Sequence, residues 1–202
     1  HNAAQVASAL DAAHAHDLVH RDVEPADILV ADGGGGDHPE YVYLTDFGLT
    51  KKSLSLAGFT SAGSFVGTLD YMAPEQIAGS PVDGRSDLYS LACVVYETIA
   101  GGPPFERGDA MALLWAHLHD PPPALSERRP EIAPGIDAVM TKALAKRPED
   151  RYAACLEFVA ALRSATSVPD PPPAPTAAAP EFAGCEESTP PGPPFDDDDD
   201  EW

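Results

Sequence analysis

Two acidic centres lie close together in the chain. Asp22 sits in His20-Arg21-Asp22-Val23-Glu24-Pro25-Ala26-Asp27-Ile28-Leu29-Val30, and Asp46 sits in Thr45-Asp46-Phe47-Gly48. Each stands at the end of a short apolar run of the kind that forms strands. Carboxylate oxygens are hard donors suited to Mg²⁺, and a second carboxylate beside a metal-held phosphate is placed to take a proton. The spacing suggests a metal-phosphate site with a base next to it. Either acid alone reads as a turn cap.

The elements that must hold these acids are legible around them. Residues 2 to 15 are Ala-rich, with Val6 and Leu10 one turn apart and Ala3, Ala7 and Ala13 beside them, which predicts an amphipathic helix ending near Asp17. Leu18-Val19 then runs extended into the Asp22 loop. Ile28 to Ala31 and Tyr41 to Leu44 are expected as strands, with Asp32-Gly33-Gly34-Gly35-Gly36-Asp37 as the turn between them. That glycine run lacks the G-x-G-x-x-G spacing and the following helix of a phosphate cradle, so it reads as a hairpin turn. Residues 49 to 66 show no period and read as a mobile surface loop. A helix over about 87 to 100 is apolar on nearly every face (Leu88, Leu91, Ala92, Val94, Val95, Ile99) and should form the buried centre, stopped by Gly101-Gly102-Pro103-Pro104. Three more helices are expected over about 109 to 118, 135 to 145 and 152 to 163, with Pro121-Pro122-Pro123 as a spacer.

Composition bounds the function. The 202 residues allow one sizeable domain plus a tail. A formal charge of −21 argues against nucleic-acid and anionic-membrane partners, which require basic surface. Ten of the acidic residues follow Arg163 with no Lys or Arg among them, leaving about −11 for the residues before. From Ser164 onward Pro and Ala dominate and the end is Asp196 to Asp200, Glu201, Trp202, so 164–202 reads as a disordered tail. Cys93, Cys155 and Cys185 are odd in number and widely spaced, which indicates neither a disulfide frame nor a zinc site and fits a cytoplasmic setting. No apolar run reaches the roughly 18 residues of a membrane helix. The first residue is His1, the expected mark of a fragment or processed product. His14, His16 and His20, like His117 and His119, are poorly spaced for a shared metal.

H-R-D-x-x-x-x-N followed by D-F-G is the catalytic-loop and metal-loop pair of protein kinases. His20 to Asp27 and Asp46 to Gly48 resemble that pair, and Ala73-Pro74-Glu75 supplies a third family segment. The resemblance runs over roughly residues 2 to 163. Tyr71-Met72-Ala73-Pro74-Glu75-Gln76 and the Pro-rich tail look most like bacterial serine/threonine kinases of the eukaryotic type. What it implies is an α+β protein-kinase-like fold, represented by the mainly α-helical C-terminal lobe (1–163) with small β-hairpins at the catalytic and metal loops.

The resemblance also implies roles. Asp22 matches the catalytic-loop Asp that accepts or orients the substrate hydroxyl proton. Asp46 matches the metal-loop Asp that holds Mg²⁺ on the ATP phosphates, with Asp27 at the second metal position and His20 and Phe47 as packing partners that set the loop. Thr68 resembles the threonine that contacts the catalytic Asp and shapes the substrate site. Asp87 resembles the helix-start Asp that holds the catalytic-loop amides, and Glu75 with Arg151 resembles a buried ion pair. Arg21 with Lys51 resembles a basic pocket for a phosphorylated loop, with Thr60 ahead of Ser61 and Ser64 as the phosphosite. The implied partner is a protein substrate presenting Ser or Thr.

Two positions depart from the family. Glu24 stands where the family has the Lys that contacts the γ-phosphate, and Asp27 where it has Asn. At ~4 Å and an effective dielectric of ~20 one charge pair is worth about 4 kcal/mol, so reversing its sign swings the energy by up to about 8. A quarter of that, about 2 kcal/mol, slows the step more than tenfold. The family's Gly-rich loop, strand Lys and helix Glu have no counterpart before His1. The chain is thus expected to hold only the substrate-binding lobe and to bind nucleotide weakly without an N-lobe or partner kinase. A non-catalytic pseudokinase or protein-binding module, and a truncated remnant, stay open beside the enzyme reading.

Overall fold

The computed structural model describes residues 2–31, 41–47, 69–133 and 135–166. Helix α1 (Asn2–His14) turns Val6, Ala7 and Leu10 inward, the stripe its sequence dictates. The hairpin β1 (Ile28–Ala31) and β2 (Tyr41–Leu44) pairs Ile28 with Leu44 and Leu29 with Tyr43 in antiparallel register. Ile28, Val42 and Leu44 pack on the core, whereas Leu29, Val30, Tyr41 and Tyr43 are each more than half exposed.

A short helix α2 (Pro74–Ile77) leads to α3 (Gly84–Ala100). Asp83 caps α3 by accepting from the Arg85 amide at 2.8 Å, and Gly101 ends it with φ 82°, a conformation that favours glycine. Every residue from Ser86 to Tyr96 is buried. The remaining helices are α4 (Ala110–His119), α5 (Leu125–Arg128), α6 (Gly135–Ala143) and α7 (Cys155–Thr166). Leu10, Leu88, Met140 and Phe158 meet in one core, where full burial of such side chains is worth roughly 1.5–3 kcal/mol each. A second cluster joins Leu69, Ile77, Phe105 and Leu114 under α4.

The expected elements form, with shifted ends. Helix α3 starts at Gly84 because the Asp83 cap lies upstream of the apolar run. Helix α7 begins at Cys155 and reaches Thr166 instead of running from 152 to 163. Its start is set from a distance: both Asp11 oxygens accept from the Cys155 and Leu156 amides at 2.9 Å, so α1 caps α7. Helices α2 and α5 are additions, too short to carry a period. The glycine turn, the loop over 49 to 66 and the tail after Thr166 lie outside the described residues, and with them Gly48, Lys51, Thr60, Ser61, Ser64 and Thr68.

Candidate active site

The loop that carries Asp22 is held from below by one carboxylate. Asp87, fully buried in the first turn of α3, accepts from the His20 amide at 2.8 Å through Oδ2 and from the Arg21 amide at 2.7 Å through Oδ1. His14 donates from Nε2 to the same Oδ2 at 2.7 Å. The His14 ring lies so close over α3 that a Cβ on Gly84 would sit 2.5 Å from its Nδ1, so this contact requires glycine. These bonds hold Arg21 at φ 69°, a left-handed conformation that costs a non-glycine residue on the order of 1 kcal/mol. Asp22 follows directly, half-buried.

The loop that carries Asp46 is tied to the Asp22 loop through the hairpin. The Thr45 amide donates to the Asp27 carbonyl at 2.9 Å. His20 donates from Nε2 to the Thr45 carbonyl at 2.8 Å, and its ring packs on Phe47 with centroids 4.6 Å apart. Asp46 lies between these anchored neighbours, exposed and at φ 56°. Arg21 and Asp46 thus each adopt a backbone state that the contacts around them enforce.

The electrostatics are those of a crowded acidic site. Burial pushes the Asp27 carboxyl up, and the charges on Glu24, Asp22 and Asp46 push it further, against a lowering contribution from His20. Glu24 is half-buried, so the departure at this position lies close enough to Asp27 to be felt. Carboxylates whose charges reach one another in this way favour a hard cation such as Mg²⁺, whose charge would relieve their repulsion. They suit bare phosphate poorly.

Beside Asp22 a cleft is lined by Val23, Tyr71, Met72 and Ser90. Its far wall is anchored: Ser90 donates to the Tyr71 carbonyl at 2.7 Å, and Arg151 grips Glu75. The guanidinium reaches Glu75 Oε1 at 2.7 Å and Oε2 at 2.8 Å, and also donates to the carbonyls of Arg85, Ala145 and Lys146. Burial alone would raise the Glu75 carboxyl, but Arg151 and the Ser86 hydroxyl, 2.6 Å away, hold it below its ordinary value.

The structure therefore brings His20, Arg21, Asp22, Glu24, Asp27, Asp46 and Phe47 together at the hairpin. It sets Asp87 beneath them and the Glu75–Arg151 pair behind the cleft. Sequence reasoning passed over His14, seen only as a poor metal candidate, because its contact with Asp87 spans 73 positions and has no local signal. Asp11, His14 and Cys155 do come within ligand distance of one another. Both Asp11 oxygens already cap α7, so the group has a structural use. His117 is buried, its Nδ1 sharing a hydrogen bond with the Tyr89 hydroxyl at 3.0 Å, and burial lowers its pKa to about 3, keeping it neutral.

Comparison with known proteins bears directly on this geometry. The family model described as protein kinase domain matches residues 1–160. The serine/threonine-protein kinase PknJ of Mycobacterium tuberculosis is 44% identical over 163 residues, covering 80% of this chain and 27% of that protein. PknH of the same organism is 41% identical over 190 residues, covering 94% of this chain and 29% of that protein. The crystal structure of the Mycobacterium tuberculosis PknI kinase domain superposes with a TM-score of 0.59 at 35% identity, covering 81% of this chain and 53% of that one. The chain spans less than a third of these two curated relatives and about half of the solved kinase domain.

Proposed function

The chain belongs to the protein kinase domain family, and from that premise we propose that it is the substrate-binding lobe of a serine/threonine kinase which, with an N-terminal lobe, transfers the ATP γ-phosphate to protein hydroxyls. The observation that carries this reading is the Asp87 clamp, which presents Asp22 at the mouth of the cleft, next to Asp27 and Asp46 across the hairpin. Asp22 orients a substrate Ser or Thr hydroxyl and takes its proton as the oxygen bonds to the γ-phosphorus and the bond to the ADP oxygen breaks. Asp46 and Asp27 would hold Mg²⁺. When bound, the metal supplies charge neutralisation on the transferring phosphoryl group. The wall from Tyr71 to Glu75, locked by Arg151, receives the substrate chain.

Glu24 opposes this chemistry by placing negative charge where the phosphate needs positive charge, so the transfer is slow. The two buried free thiols, Cys93 and Cys155, fit a cytoplasmic setting. Among the described residues no helix is long and apolar enough to cross a membrane.

A second reading is supported by the same carboxylate crowding around Asp27: a pseudokinase lobe that binds a protein partner without turnover. One experiment separates them. The chain is joined to a kinase N-lobe and supplied with Mg²⁺, ATP and Ser/Thr peptides. Phosphopeptide that is lost with Asp22→Ala supports the enzyme; its absence leaves the pseudokinase.

A further inference from the structure

We propose that Gln76 is a positioning residue that locks the Arg21–Asp22 peptide and so couples the substrate wall to the catalytic loop; this rests on the reading of Asp22 given above. Arg21 is held on two sides. Its amide is taken by Asp87 Oδ1 at 2.7 Å, and its carbonyl accepts from Gln76 Nε2 at 2.7 Å. The second bond spans 55 positions and joins the residue before Asp22 to helix α2.

The Gln76 amide cannot be turned over without loss. Its Oε1 accepts from the Ala73 amide at 3.0 Å, in the first turn of α2, so its Nε2 faces Arg21. Only a side chain with an acceptor and a donor on one carbon, at this length, serves both partners. Glutamate serves Ala73 and presents a second acceptor to the Arg21 carbonyl. Asparagine is one methylene short, and lysine serves only Arg21.

The lever is stiff as well as connected. Glu75, the neighbouring residue, is fixed by Arg151, and Gln76 lines the same cleft as Asp22. Movement of the wall therefore reaches the Asp22 backbone through one amide. Arg21, strained at φ 69°, is the residue least able to keep its place when one of its two restraints goes.

The test has two arms. In the 202-residue chain, hydrogen–deuterium exchange is compared for the original protein, Gln76→Glu and the uncharged isostere Gln76→Met. We expect faster uptake over residues 18–24 in both variants, with residues 86–96 unchanged. In the chain joined to an N-lobe, Gln76→Glu should lower kcat about tenfold or more, with the peptide KM within about twofold, because a misaligned base costs turnover and not binding. Unchanged uptake over 18–24, equal loosening of 86–96, or an unchanged kcat would each overturn the proposal. A joined chain with no transfer even when it carries Glu24→Lys and Asp27→Asn refutes the enzyme reading instead, and the exchange arm still decides the Gln76 tether.

Discussion

Arg151→Met should unfold the chain more readily than any single change on its surface. The guanidinium is fully buried and makes two bonds to Glu75 and three to backbone carbonyls. Removing it leaves the Glu75 carboxylate buried with Ser86 as its remaining side-chain donor. Breaking one partner of a buried pair costs about 3–5 kcal/mol, which in a domain of this size lowers Tm by roughly 6–20 °C. The pH dependence identifies the cause. In the original chain Glu75 is held below its ordinary value of 4.5, so its stabilisation is present above that pH and lost as pH falls through the depressed value. In Arg151→Met the unpaired carboxyl is pushed above 4.5, so its penalty is full at pH 7 and fades on acidification. The gap between the two proteins should therefore narrow as the pH is lowered from 7 through the carboxylate range. Thermal and urea denaturation across that range measure it, with Glu75→Gln completing a double-mutant cycle whose coupling should exceed about 1.5 kcal/mol. A loss under about 1 kcal/mol, the size of a surface pair, or a gap independent of pH would refute the reasoning.

Three further outcomes follow from the site. Asp27→Asn should raise Tm at pH 7 in the absence of Mg²⁺. The folded Asp27 carboxyl titrates above its ordinary 3.8, so its ionised form opposes folding at neutral pH, and the advantage should vanish below pH 3.8 in calorimetry. Glu24→Lys in the two-lobed form should raise kcat at least tenfold in a coupled ADP assay, and an unchanged rate would show that position 24 does not face the phosphate. Asp87→Asn leaves one oxygen where His20, Arg21 and His14 now share two, so exchange over residues 18–24 should quicken and kcat fall at least tenfold, while an unchanged exchange profile would remove Asp87 from its clamping role.

Much of this site was legible because its chemistry is local in sequence. Asp22 and Asp46 lie within short motifs that flank the hairpin, whose two strands are short apolar runs, and α3 declares itself by being apolar nearly all round. The short helix α2 and the single helical turns Pro25–Asp27 and Leu69–Tyr71 carry too few residues for a period. The roles of His14, Asp11 and Gln76 were hidden for a different reason: each acts on backbone or carboxylate groups dozens of positions away, and such pairings leave no spacing to read. Helix α7 shows the consequence, since its true start depends on a cap supplied from α1.

Transfer of labelled γ-phosphate to Ser/Thr peptides by the two-lobed chain carrying Glu24→Lys and Asp27→Asn, with and without Asp22→Ala, tests the central claim most directly. Phosphopeptide is expected from the doubly restored chain and none once Asp22 is removed. No phosphopeptide from the restored chain, or equal amounts with Asp22 absent, would contradict it.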